Sequence, residues 1–247
     1  MPALFYFHIH RTAGTSVIAD ISEHFNESQI LTDGGNLTMP FLQACGEQQL
    51  RETGLIHGHA HHGAAAYLQG VADAALLLRN PMDHVISCYQ HLLSSPTLPW
   101  HRAATGLGFR DFIETYPRFL AIQTITLATG LGRDVRRDRI YDCLPDVVCY
   151  LDNTLLLGTV DQIDEFMVCL ARIKRWPVQV AVQHLNRAAA GHGPDRQGLE
   201  AAYNEVARSA HVAAVMIAAE QTLYIAAKSI AATQRARTPL QEGGMTT

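Results

Sequence analysis

Near the start of the chain, His8-Ile9-His10-Arg11-Thr12-Ala13-Gly14-Thr15-Ser16 gathers a permanent cation, three hydroxyls and a glycine within nine positions. A helix beginning at such a place leaves its first amides without internal partners, and its dipole favours negative charge there. Gly14 permits close backbone approach, Thr12, Thr15 and Ser16 offer hydroxyl donors, and Arg11 offers charge. The segment is not a Walker A loop, because both its first glycine and its lysine are missing. The bland alternative is a strand–turn–helix connection whose threonines and serine merely cap the helix.

Two further sets invite chemistry. Arg79 follows an apolar run, and Ser87 stands eight residues later, about two helical turns on. A guanidinium and a hydroxyl so placed can converge on one phosphate; otherwise Arg79 pairs locally and Ser87 is a solvated helix residue. His57, His59, His61 and His62 lie within six positions. Side chains two apart on a strand share a face, so His57 and His59 point the same way. An imidazole titrating near ~6.5 can take the proton of a hydroxyl as that hydroxyl attacks. Metal binding by the His57–His62 cluster, and histidines hydrogen-bonded at a strand end without chemistry, are the competing readings.

The elements that must hold these residues follow from periodicity. Leu4 to Ile9 is a nearly unbroken apolar run, as in a strand buried on both faces, and Val17, Ile18, Ile21 and Phe25 then fall on one helical face. Further strands are predicted at 54–59, 74–78 and 154–157. A helix is predicted to start at Pro81, and another to be capped by Asp161 and to carry Ile163, Phe166 and Leu170. Strands alternating with helices predict an α/β fold with a parallel sheet covered on both faces. Residues 94–150 read as a helical insert, 197–232 as one long or broken helix, and 233–247 as a flexible C-terminal tail, so that 1–232 form a single domain.

Composition narrows the class. With 247 residues, 48% apolar and 17% charged, the chain can bury a sizeable core. Nineteen basic against 23 acidic side chains give a net charge of −4, which argues against a nucleic-acid partner. The apolar stretch 212–232 is broken by Glu220, Gln221 and Lys228 and reads as a packed helix, so no transmembrane segment is expected. The N-terminus lacks signal-peptide features, and the five cysteines form no C-x-x-C pair. A reduced, cytoplasmic protein is the expectation.

The segment His8 to Ser16 resembles the 5′-phosphosulfate loop of carbohydrate sulfotransferases of the heparan 2-O-sulfotransferase-like superfamily, which reads H-I-P-K-T-A-G-T-S. Seven of the nine positions match; His10 replaces the proline and Arg11 the lysine. Leu78 to Ser87 resembles that family's 3′-phosphate motif, R-D-P-x-x-R-x-x-S, in Arg79, Pro81 and Ser87, with Asn80 and His84 at the departures. His57-Gly58-His59 resembles its H-G-H triplet. Weaker likenesses lie at Gly158-Thr159-Val160-Asp161, at Gln123-Thr124 on the acceptor side, and at Glu220 with Leu223-Tyr224.

The resemblance implies a soluble, bacterial-like member with a P-loop-like three-layer α/β/α fold. It implies 3′-phosphoadenosine 5′-phosphosulfate (PAPS) as co-substrate, with no metal. Arg11, Thr12, Ala13, Gly14, Thr15 and Ser16 would hold the 5′-phosphosulfate, and Arg79 and Ser87 the 3′-phosphate. His59 would be the base with His57 its companion, and Arg11 would stabilise the leaving group. The acceptor would be a hydroxyl on a saccharide or glycolipid. A P-loop-type ATP-dependent kinase or other nucleotide-binding protein, and a metal-binding module on His57–His62, are the alternatives. The mixed-charge run Arg133 to Arg139 reads as a solvated surface.

Overall fold

Every residue of the first strand, Ala3–Phe7 (β1), is buried. Alternation sends Leu4 and Tyr6 to one side, where they meet Val17 and Ile21 of the helix Gly14–Ser22 (α1), and Phe5 and Phe7 to the other. That two-sided burial explains the unbroken apolar run, each large side chain contributing roughly 1.5–3 kcal/mol. The computed structural model describes residues 2–177, 195–209 and 212–238.

The remaining strands are Ile30–Leu31 (β2), Asn36–Leu37 (β3), Leu55–Ala60 (β4), Ala72–Leu78 (β5) and Leu156–Thr159 (β6). They form a parallel sheet in the order β2-β4-β1-β5-β6, with β3 pairing on β4. The further α-helices among the described residues are Met39–Glu52 (α2), Ala64–Leu68 (α3), Pro81–Ser94 (α4), His101–Gly106 (α5), Phe109–Thr115 (α6), Ile122–Gly130 (α7), Leu144–Asp152 (α8), Ile163–Lys174 (α9), Arg196–Ala207 (α10) and Val212–Arg237 (α11). Helices α1 and α9 cover one face, through Val17, Ile21, Phe166 and Leu170. Helices α4, α7, α8 and α11 cover the other, through Val85, Leu127, Val147 and Leu223. The architecture is a three-layer α/β/α fold around a parallel sheet.

The strand order sets the functional geography. The chain leaves β1 toward β2 on one side of the sheet and leaves β5 toward β6 on the other. The carboxyl ends of β1 and β5 therefore flank a topological switch point, where open α/β sheets take ligands. Residues 8–13 follow β1 there, and Arg79 follows β5. Helix α4 starts beside them: Pro81 occupies its first turn, and the Asn80 side chain accepts from the amides of Met82 and Asp83 at 3.1 and 3.4 Å.

Several expectations need correction. Strand β6 lies two residues later than predicted, because the Thr154 hydroxyl donates to Leu151 O at 2.7 Å and closes the turn after α8. Gln162, not Asp161, precedes α9; the Asp161 carboxylate instead accepts from the Tyr224 hydroxyl at 3.2 Å. The stretch read as one long or broken helix takes the broken form, as α10 and α11, but α11 continues to Arg237, so 233–237 is helical rather than tail. The rest of the predicted tail, 239–247, lies outside the described residues. Segment 94–150 contains helices and no strand. No single helix among the described residues is long and apolar enough to cross a membrane.

Candidate functional site

The connection from β1 to α1 is strained and heavily braced. Arg11 and Ala13 both adopt left-handed backbone, with φ of 63° and 61°. Each costs roughly 1–2 kcal/mol without glycine, and such strain persists only where the surroundings over-determine it. Here they do, because four successive carbonyls each accept from a side chain. His8 O takes the His59 Nδ1–H at 2.6 Å, and Ile9 O takes the Thr12 hydroxyl at 2.9 Å. His10 O takes the His84 Nε2–H at 2.7 Å, and Arg11 O takes an Arg79 N–H at 3.2 Å. In a trans peptide the N–H points opposite its C=O, so drawing these carbonyls into the protein turns the following amides outward. At the head of α1 the first backbone bonds run from Ser16 and Val17 to Ala13 O, which leaves the Gly14 and Thr15 amides without an intrahelical acceptor.

These groups border a cavity of about 410 Å³ lined by His8, His10, Arg11, Ala13, Gly14, Thr15, Ser16, Arg79, His91 and Val160. Two of its ten lining residues are arginines and none is acidic. Burial, partly offset by the Asp83 carboxylate, lowers the Arg79 pKa, and the Arg11 guanidinium lowers it further. A cationic pair that is partly desolvated gains most from an anion placed against it. Gly14 is required sterically: a Cβ there would sit 1.9 Å from the His8 ring.

The His59 ring is stacked against two of the lining residues, His8 and His10, with centroids 4.4 and 3.6 Å away. Carbonyls only accept, so the bond to His8 O fixes the proton on His59 Nδ1 and leaves Nε2 with a lone pair. Burial first, then the neighbouring imidazoles, push the His8 pKa down to about 3 and the His10 pKa down to about 4. Burial also lowers His57 and His59, the bond to His8 O opposing it for His59. His84, enclosed under the loop, falls to about 4, again chiefly through burial. Burial thus favours the neutral form of these rings, in which they stack without mutual repulsion.

The residues singled out in the sequence divide into two sets. Arg11, Ala13, Gly14, Thr15, Ser16 and Arg79 line the cavity. Thr12 is fully buried and its hydroxyl is spent on Ile9 O, so it shapes the loop instead of offering a donor. Ser87 is buried and bonded by Arg11 Nε at 3.1 Å; it meets Arg11, not Arg79. His57 and His59 are not among the lining residues, and the buried His57 Nδ1 has no partner among the described residues.

His84, bonded to His10 O, supports the loop backbone. Gln123 and Thr124 are buried and bonded to Glu220, so they do not line an acceptor surface. Arg133 and Arg139 pair with Asp146 and Asp142 at the surface, as a solvated run should.

Sequence reasoning missed His8, His10 and His91 as cavity residues. The available signal was the two-residue spacing of His8 and His10 on the strand face shared with His57 and His59. Among the described residues no three His, Cys, Asp or Glu side chains are grouped to hold a metal ion. No protein-family model matches the chain, and no curated protein matches it either.

Proposed function

We propose that the protein is a sulfotransferase that moves a sulfuryl group from PAPS to a hydroxyl acceptor, a carbohydrate by family resemblance. The observation that carries this reading is the meeting of Arg11, Arg79 and the head of α1 around one cavity at the switch point. Two cationic anchors contributed by two different strand ends suit a nucleotide with anions at both its 5′ and its 3′ positions. The volume of about 410 Å³ falls in the range of small-ligand sites.

In this reading the Gly14 and Thr15 amides and the Thr15 hydroxyl bind the 5′-phosphosulfate, while Arg79 binds the 3′-phosphate. The acceptor oxygen attacks sulfur, and the bond from sulfur to the bridging oxygen breaks. The electron pair of that bond stays on the departing 5′-phosphate, where Arg11 offsets the growing charge. The hydroxyl proton passes to His59 Nε2, the nitrogen whose lone pair the His8 carbonyl keeps available. His57 backs this group from the same strand face. The protein contributes position and electrostatics, as in phosphoryl transfer. No metal enters the scheme.

Calorimetric titration with 3′-phosphoadenosine 5′-phosphate, against AMP and ATP and without added metal, tests the reading. Micromolar binding that requires the 3′-phosphate and weakens in Arg79→Ala is the expected result. A preference for ATP with Mg²⁺ would replace it with the kinase reading. Absence of nucleotide binding would make the loop architectural. Zinc in stoichiometric amount, lost on His59→Ala, would favour the metal-binding module.

A further inference from the structure

Two weak sequence signals, Gln123-Thr124 and Glu220, meet in the interior. Glu220 of α11 is 1% exposed, and its carboxylate accepts four hydrogen bonds. Oε1 takes the backbone and side-chain N–H of Gln123, each at 3.0 Å, and Oε2 takes the backbone N–H and hydroxyl of Thr124 at 3.0 and 2.6 Å. Gln123 in turn embraces the backbone of Arg79. Its Oε1 accepts from Arg79 N at 2.7 Å, and its Nε2 donates to Arg79 O at 2.9 Å. The side-chain amide thus pairs with Arg79 as a neighbouring strand would, one residue beyond the end of β5. Arg79 then reaches across to Arg11 O.

We infer that Glu220 and Gln123 are positioning residues that fix Arg79 for the 3′-phosphate of the nucleotide. The inference rests on the proposed function for the identity of the ligand. A buried carboxylate is costly unless fully satisfied, and all four of its contacts go to the two residues that hold the anchor or adjoin that hold. A side chain needed only for packing would be replaced by an apolar residue at no loss. The chemistry explains the choice of glutamine. A side-chain amide accepts from an N–H at its oxygen while its nitrogen donates to a C=O, and its second Nε2 hydrogen goes to Glu220.

The test combines Gln123→Met, of similar volume, and Glu220→Gln, of the same shape, with Leu223→Ala as a destabilised control. Hydrogen exchange at the Arg79 amide is read first and needs no ligand. Protection lost in Gln123→Met and Glu220→Gln but kept in Leu223→Ala is expected; unchanged protection overturns the clamp whatever the protein binds. Binding of 3′-phosphoadenosine 5′-phosphate relative to AMP is read second. The wild-type preference is expected to shrink about tenfold in Gln123→Met and Glu220→Gln, with AMP affinity nearly unchanged. Equal losses for both nucleotides, or the same loss of preference in Leu223→Ala, would assign Glu220 to general stability. If the wild-type protein shows no preference, the nucleotide reading fails while the exchange result still decides the clamp.

Discussion

Arg11 Nε donates to the Ser87 hydroxyl at 3.1 Å, joining the loop after β1 to the middle of α4 across 76 residues of sequence. This bond uses the inner nitrogen of the guanidinium, and Arg11 is one of the residues lining the cavity. A lysine could not be held in this way, because its ammonium has no inner donor. Ser87 therefore restrains the guanidinium at the cavity, and under the proposed function that group offsets charge on the leaving phosphate.

Arg11→Ala should lower turnover by about 10²–10³ while weakening nucleotide binding less than about tenfold, since its charge matters most when the leaving group develops its own. Ser87→Ala should cost turnover about tenfold with Arg11 still present. Steady-state kinetics with calorimetry checks both; equal losses in turnover and affinity for Arg11→Ala would reduce it to a binding residue.

His59→Asn separates the proposed role as base from the observed role as brace. The asparagine amide can still donate toward His8 O, but it has no basic nitrogen. Turnover should fall by about 10²–10⁴ and nucleotide affinity should change by less than about threefold. Retained turnover in His59→Asn, together with its loss in His10→Ala, would move the base to the cavity-lining His10.

Folding stability should decline on mild acidification. Burial holds His84 and His10 near 4 and His8 near 3, against 6.5 for the free side chain. Between those values the unfolded chain binds protons that the folded chain does not, so stability is full above 6.5 and falls as pH drops toward 4. For the enclosed His84 alone the shift corresponds to roughly 3 kcal/mol. Urea midpoints at pH 7, 5.5 and 4.5 check this, and His84→Gln should flatten the slope; a midpoint constant over that range would show that the imidazoles ionise freely in the folded state.

How much of this was legible from sequence depends on the range of the cause. The β1–loop–α1 and β5–α4 units were readable because an apolar run, Gly14 and Pro81 act locally. The face shared by His57 and His59 was readable from strand period. The Thr12 hydroxyl was misread as a ligand donor because its acceptor, Ile9 O, becomes available only once the loop adopts left-handed backbone at Arg11 and Ala13. Spacing pairs Ser87 with Arg79, yet in the fold its hydroxyl is taken by Arg11, which arrives from a distant segment. The Glu220–Gln123 contact spans 97 residues, and no local pattern announces that a lone acid in an alanine-rich helix will be bonded four times.

Gly14 offers the sharpest test of the loop's packing, because its role is set by one neighbour. A Cβ at residue 14 would fall 1.9 Å from His8 Cδ2 and 2.0 Å from Nε2, and the His8 ring is itself backed by His59 and cannot simply retreat. Gly14→Ala should therefore displace the stack and destabilise the fold by about 1–3 kcal/mol, with loss of nucleotide binding. Helix propensity acts the other way, since alanine is favoured over glycine by up to about 1 kcal/mol within a helix. The two effects separate in a double-mutant cycle. His8→Ala removes the obstructing ring, so in that background Gly14→Ala should be neutral or stabilising, giving a coupling energy of at least about 1 kcal/mol. Additive effects in thermal unfolding would mean that the His8 ring does not rest on Gly14, and that the glycine serves only the approach of a ligand to the head of α1.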